Sequence, residues 1–209
     1  MDFAPVSEPV LCTLWILVPL FILAAVLKSS WFKGWLGEAM VNLTARLFLD
    51  RKTYHLIRNV TLPTDDGTTQ IDHIIVSPFG VFVVETKNMK GWIFGAAHQR
   101  QWTQKIYRHT QKFQNPLHQN HKHVKTLQAL LGLGDAQVHS LVVFVGDATF
   151  KTPMPENVTR CAGYLRYIKG HEVRVLTDDE VSRVIEQIEA GRLAASFRTH
   201  REHVNNGEL

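Results

Sequence analysis

At 209 residues, 45% of them hydrophobic and 20% charged, the chain has ordinary globular usage and room for one domain plus a short accessory segment. Its two cysteines, Cys12 and Cys161, exclude a disulfide framework and a four-cysteine zinc site. A net charge of +4 admits anionic partners without selecting one.

In chain order, residues 10–27 come first, as 18 uncharged residues, the lower limit for a helix crossing the hydrocarbon core. Pro19 lies mid-run, where a membrane helix tolerates it better than a soluble one. The acidic start, Asp2 and Glu8, argues for an uncleaved anchor over a signal peptide, which would want a basic start. No Lys or Arg precedes the span, whereas Lys28, Lys33 and Arg46 follow it. The positive-inside rule therefore predicts a single-pass membrane protein with its amino terminus outside and the following domain in the cytoplasm. Trp31 and Trp35 would suit the interfacial belt.

Leu36, Met40, Leu43 and Leu47 recur at helical spacing and predict a helix over 36–49. Residues 54–62 read as a strand and 63–67 as a turn cluster. Residues 71–77 and 81–87 are β-rich runs around Pro78-Phe79-Gly80, hence a hairpin. Residues 91–95 and 101–107 are further candidate strands. Asn115-Pro116 starts a helix, with Leu117, Val124, Leu127 and Leu131 as its apolar stripe and Gly132 and Gly134 at its end. The apolar run 141–145 predicts a central strand and 173–176 a short one. Thr177 and Glu180 form a capping box for a last helix reaching about residue 190, followed by a polar tail over 191–209. The sum is a mixed α/β domain over 34–190, with helices flanking a central sheet.

Two features carry chemistry. From Thr86 to Gly134 there is no Asp or Glu, while Lys87, Lys90, Arg100, Lys105, Arg108, Lys112, Lys122 and Lys125 all fall there. This predicts either a basic surface suited to a phosphate backbone or a solvated face whose acids come from elsewhere in the fold. The second feature is a set of charges inside apolar strands. Alternation puts Glu85 and Lys87 on one face. If Ser77 pairs with Gly80, Asp72 stands opposite Glu85, with Cβ atoms about 5 Å apart. A three-residue loop with a Gly bulge would offset that pairing by one. Carboxylates so close repel unless a divalent cation lies between them, and Mg²⁺ or Mn²⁺ on Asp72 and Glu85 would suit phosphate chemistry. The alternative is a cluster that merely neutralises itself at a sheet end.

The ordered series Gln70-Ile71-Asp72-His73-Ile74-Ile75-Val76, Gly80-Val81, Val84-Glu85-Thr86-Lys87-Asn88, Gly91, Trp102, and Gln114-Asn115-Pro116 with Gln119 resembles the NERD (nuclease-related domain) family, grouped with the PD-(D/E)xK nucleases. The resemblance covers residues 36–131. It implies a restriction-endonuclease-like core, with Asp72, Glu85 and Lys87 at metal and catalytic positions. Glu38, after Gly37, resembles the acid on the family's first helix, although a solvated helix face explains it equally well. Ile71 stands where the superfamily motif has Pro. Gln119 would reach a substrate phosphate or a bound water. His118, His121 and His123 match no standard zinc spacing. Trp102 reads as core. The expected function is metal-dependent hydrolysis of phosphodiester bonds in DNA, with RNA second. The competing classes are a non-catalytic nucleic-acid-binding module at the membrane and a scaffold binding anionic lipid.

Overall fold

The computed structural model describes residues 4–64 and 67–193. The chain divides into two compact units, Met1–Leu36 and Gly37–Leu209. The first contains α1 (Ala4–Lys28) and the start of α2 (Ser30–Phe48). Ser29 separates the helices: its hydroxyl donates to the Val26 carbonyl and accepts from the Phe32 N–H, capping the second helix as the first ends. Among the described residues no single helix is long and apolar enough to cross a membrane, and Thr13–Lys28 with Trp31–Phe48 qualify only as a bent pair.

The second unit is a mixed α/β domain with two mixed sheets and flanking helices. The larger sheet has the order β1 (His55–Thr64), β2 (Gly67–Ser77), β3 (Gly80–Asn88), β7 (Val138–Val145), β9 (Val158–Arg160). Its first three strands are antiparallel neighbours, while β7 runs parallel to both β3 and β9. The smaller sheet has the order β6 (His109–Gln114), β5 (Gln101–Ile106), β4 (Gly91–Phe94), β8 (Ala148–Phe150). Three helices complete the unit: α3 (Pro116–Leu131), α4 (Gly163–Lys169) and α5 (Asp178–Gly191).

Three apolar clusters hold these layers together. Leu127 and Leu131 of α3 and Val184 and Ile188 of α5 pack on Ile74, Val76, Val81 and Val83. On the other face Val41 and Ala45 of α2, Leu49 just after it and Ile168 of α4 cover Ile75, Phe82 and Val84. Ile93 and Trp102 of the smaller sheet join Val142 and Phe144 of β7, with Trp102 stacked on Phe144 at 6.1 Å between centroids. Trp102 is fully buried, as expected of a core residue.

Helix α3 begins as predicted: Pro116 opens it, the Asn115 side chain accepts from the Leu117 N–H, and left-handed Gly132 closes it. The capping box of Thr177 and Glu180 is also present. Two expectations are corrected. The Leu36, Met40, Leu43, Leu47 stripe is the outer face of α2, with exposures of 42%, 44%, 58% and 64%. The buried stripe is Gly37, Val41, Ala45 and Leu49, in which Gly37 and Ala45 admit close approach to the sheet. A Cβ at Gly37 would lie 2.8 Å from Val145 Cγ2 and 2.9 Å from Asn88 Cβ. Residues 173–176 form no strand; the Val175 and Leu176 N–H groups converge on the single carbonyl of Pro78 instead of making a ladder. Residues 65 and 66 of the expected turn, and 194–209 of the expected tail, lie outside the described residues.

Candidate active site

The site forms where β3 leaves the core. Gly80 through Glu85 are buried, and Thr86, Lys87 and Asn88 become partly exposed. Ser77 pairs with Gly80, so the β2–β3 loop has two residues and the offset bulge does not occur. The pairing runs back to His73 and Val84, and the next step in that register sets Asp72 opposite Glu85.

Asp72 interrupts both of its ladders. The β1–β2 pairing skips from His73 to Ile71, and the residue that would face Asp72 is Asn59, held at φ 50°. Ile71 and Ile74 then both join the cluster beneath α3 and α5, which strict alternation would forbid. The strand is therefore distorted at its acid, in the way bulges re-aim side chains beside active sites. The Asp72 carboxylate replaces the missing ladder bond by accepting the Thr86 N–H at 2.9 Å.

Glu85 is 3% exposed and has two cationic or polar neighbours. Lys87 Nζ lies 2.7 Å from one carboxylate oxygen and His123 Nε2 lies 3.4 Å from the other, a long contact that leaves Nε2 without a good hydrogen bond. His123 Nδ1 is fixed by Thr69 Oγ1 at 2.8 Å. Lys87 also donates to Gln119 Oε1 at 2.9 Å. This pairing follows from geometry. Gln119 and His123 are one helical turn apart, about 6 Å of rise, and Lys87 and Glu85 are two strand residues apart, about 6.6 Å. Helix and strand thus present matching pairs. Asn120 locks their register, its amide donating to the Val83 carbonyl at 2.9 Å, Ser140 Oγ at 2.9 Å and the Leu141 carbonyl at 3.2 Å.

Glu38 is half-buried beside Gly37 on the inner side of α2, not on a solvated face. Burial, then the Glu85 charge, raises its pKa. The Asp72 carboxyl is pushed well above the usual carboxylate range, first by burial and then by Glu85, with Glu38 adding to the effect and the Thr86 N–H and Lys87 opposing it. Burial also pushes Glu85 up, but Lys87 and His123 outweigh it and hold its pKa below the ordinary value. His73, on the neighbouring strand position, is driven down to about 4 by burial, with a hydrogen bond to the Glu38 backbone opposing.

Asp72, Glu85, Lys87, Glu38 and Gln119 therefore form one electrostatically linked group. Three carboxyl groups share it with one lysine ammonium, an oxygen-rich set of the kind a hard divalent cation takes. Among the described residues no three His, Cys, Asp or Glu side chains converge as a closed metal cage would require. The set fits Mg²⁺, which takes one or two carboxylates and completes its shell with water and substrate oxygens. His118 turns to the Ala97 carbonyl at 3.0 Å and His123 to Glu85, so these histidines diverge. His123 is the site neighbour that sequence reasoning missed; its signal was the four-residue spacing from Gln119.

No solved structure matches the chain. A Bacillus anthracis protein, described as uncharacterized, is 50% identical over 100 residues, covering 46% of this chain and 47% of that protein. The match thus spans about half of the relative's length. The family model for the nuclease-related domain matches residues 33–145, a span that holds Glu38, Asp72, Glu85, Lys87 and Gln119. The chain belongs to the nuclease-related domain family, NERD, and its placement with the PD-(D/E)xK nucleases is consistent with that membership.

Proposed function

We propose that this chain is a membrane-anchored, metal-dependent phosphodiesterase acting on DNA, with RNA as the second substrate, built on a restriction-endonuclease-like core. The observation that carries the reading is the β2–β3 register, which runs to His73 paired with Val84, so that Asp72 and Glu85 are the next positions beyond it and Lys87 follows two residues later. A group that only bound nucleic acid would gain nothing from burying acids beside phosphate.

Asp72 and Glu85 would hold Mg²⁺ or Mn²⁺, which when bound supplies Lewis-acid polarisation of the phosphate and a more acidic water. The chain's own residues do the rest. Lys87 carries three N–H donors, and Glu85 and Gln119 take two of them. Those contacts fix the ammonium where it can meet charge developing on a scissile phosphate. Gln119 acts through Lys87 as a positioning residue. Thr86 holds Asp72 through its N–H, and His123 lies beside the second oxygen of Glu85. Glu38 adds negative field from α2.

The test is cleavage by the full chain in detergent, on plasmid, linear duplex, single-stranded DNA and RNA. Activity should appear with Mg²⁺ or Mn²⁺ and vanish in EDTA and in Asp72→Asn. Equal activity in EDTA would end the metal mechanism. Salt-sensitive binding with no cleavage under any metal would identify a non-catalytic nucleic-acid-binding module instead.

A further inference from the structure

The smaller sheet turns Ile93 and Trp102 inward and leaves its other face open. On that face Trp92 is 48% exposed and stands opposite Lys105 in the β4–β5 register. Lys151 Nζ lies 4.6 Å from the Trp92 ring centroid and Lys105 Nζ lies 6.0 Å from it. A groove of about 390 Å³ beside this ring is lined by Lys90, Trp92, Lys105 and Tyr107, with Asp147 as its acid.

Tyr107 makes the face unusual. Ile106 pairs with His109, so Tyr107 and Arg108 form a two-residue turn. Tyr107 is 93% exposed and sits at φ 52°, in the left-handed region. Gly or Asn would occupy that position with less strain, and the ring buries almost nothing in return. Hairpin stability therefore does not explain an aromatic there. Two exposed aromatic rings among four cationic side chains, on a nearly acid-free surface, make the combination that unpaired bases and their phosphates select.

We propose that the outer face of this sheet is a track for single-stranded nucleic acid, where bases stack on Trp92 and Tyr107 while Lys90, Lys105, Lys151 and Arg108 hold the phosphates. The inference rests on the nuclease reading and names the form of its substrate. A duplex keeps its bases stacked on one another and offers no face to these rings. The lysines over Trp92 are flexible and exposed, and such a cation–π contact is weaker than a base–aromatic stack, so an arriving base displaces the ammonium toward the backbone. Trp92 follows Lys87 by five residues, so at most about 18 Å of extended chain separates the two residues. A strand lying on Trp92 has only a few nucleotides to run before it reaches Lys87.

The experiment measures binding of the full chain to labelled oligothymidylate and to a duplex of equal length, in EDTA so that nothing is cut. Trp92→Ala and Tyr107→Asn are compared with wild type; Asn suits the left-handed corner and keeps the hairpin. Each variant should lose roughly tenfold or more in affinity for the single strand and keep its duplex affinity. Wild-type single-strand affinity in both variants would overturn the track while leaving the nuclease reading intact. Equal losses for strand and duplex would also overturn it, since they would show a charge effect without stacking. Failure of the wild-type chain to bind either form would remove the nucleic-acid reading itself, and the track with it.

Discussion

At the residue scale, Asp72 and Glu85 feel each other's charge yet answer to different forces, so their amide variants should differ. The Asp72 pKa is raised, so the unfolded chain gives up this proton at lower pH than the folded one. Stability is therefore lost as pH rises through the ordinary aspartate range toward the folded pKa. Asp72→Asn removes that loss and still offers an oxygen to the Thr86 N–H. In metal-free protein at neutral pH it should raise Tm above wild type, with the gain vanishing in acid. Glu85 has the opposite sign: its lowered pKa gives stability above the ordinary glutamate range that is lost as pH falls through the folded value. Glu85→Gln should destabilise by about 2 kcal/mol, below the roughly 3–5 kcal/mol of a fully buried pair because Lys87 is 24% exposed and can turn to water. Both variants should lose cleavage, and Mg²⁺ should raise Tm only in wild type. Equal thermal shifts from Mg²⁺ in all three proteins would remove the cation from this pair. A separate acid effect comes from His73. Its pKa of about 4, against an ordinary value of 6.5, means stability is full above 6.5 and is lost as pH falls from there to about 4. That window is worth about 3 kcal/mol for a residue 1% exposed. Denaturant titrations at pH 7 and pH 4.5 should show the difference shrinking in His73→Gln. The acids and lysine were legible in the sequence because charge inside an apolar strand is costly. The left-handed Asn59 that distorts β2 at Asp72 was not, since nothing local to Asn59 demands it.

At the element scale, α3 does two jobs that adjacent residues separate. Asn120 is fully buried and bonds two strands, whereas the half-buried Gln119 side chain accepts from Lys87. Asn120→Ala should cost about 2–3 kcal/mol by leaving strand groups without their donor. Gln119→Ala should leave Tm within a degree or so and lower kcat about tenfold with KM unchanged, as expected when an ammonium loses its guide rather than its charge. A fall in KM-controlled binding alone would mean that Gln119 touches substrate instead of positioning Lys87. The helix itself was readable from Asn115, Pro116 and Gly132, because caps are local chemistry. The six-residue β6 was not, since His109–Gln114 is an exposed edge with hardly an apolar side chain to mark a period. Helix α2 shows the opposite failure. Its large apolar residues gave a clear period that lies on the wrong face, because close packing on the sheet selected Gly37 and Ala45 instead.

At the scale of the whole molecule, that misplaced stripe needs a partner. Met40, Leu43, Leu47 and Phe48 are all at least 44% exposed. A contiguous apolar face of this kind is a contact surface in proteins that stay in solution. In the sequence it comes after the uncharged residues 10–27, and Lys28, Lys33 and Arg46 fall nearby, a composition that suits a helix lying against anionic head groups. The proposed topology has the amino terminus outside, the first helix inserted, α2 resting on the cytoplasmic interface through its outer stripe, and the nuclease-like domain cytoplasmic. It makes two separable predictions. A reporter fused after Leu209 should behave as cytoplasmic, and recovery of a free exported product cut near Ser29 would refute the anchor. A fluorophore attached at position 43 in nanodiscs should be quenched by lipids spin-labelled near the head group, while one at position 178, on exposed Asp178, should not. Quenching at neither position would detach α2 from the bilayer and assign its apolar stripe to a protein partner, with the orientation of the first helix still decided by the reporter.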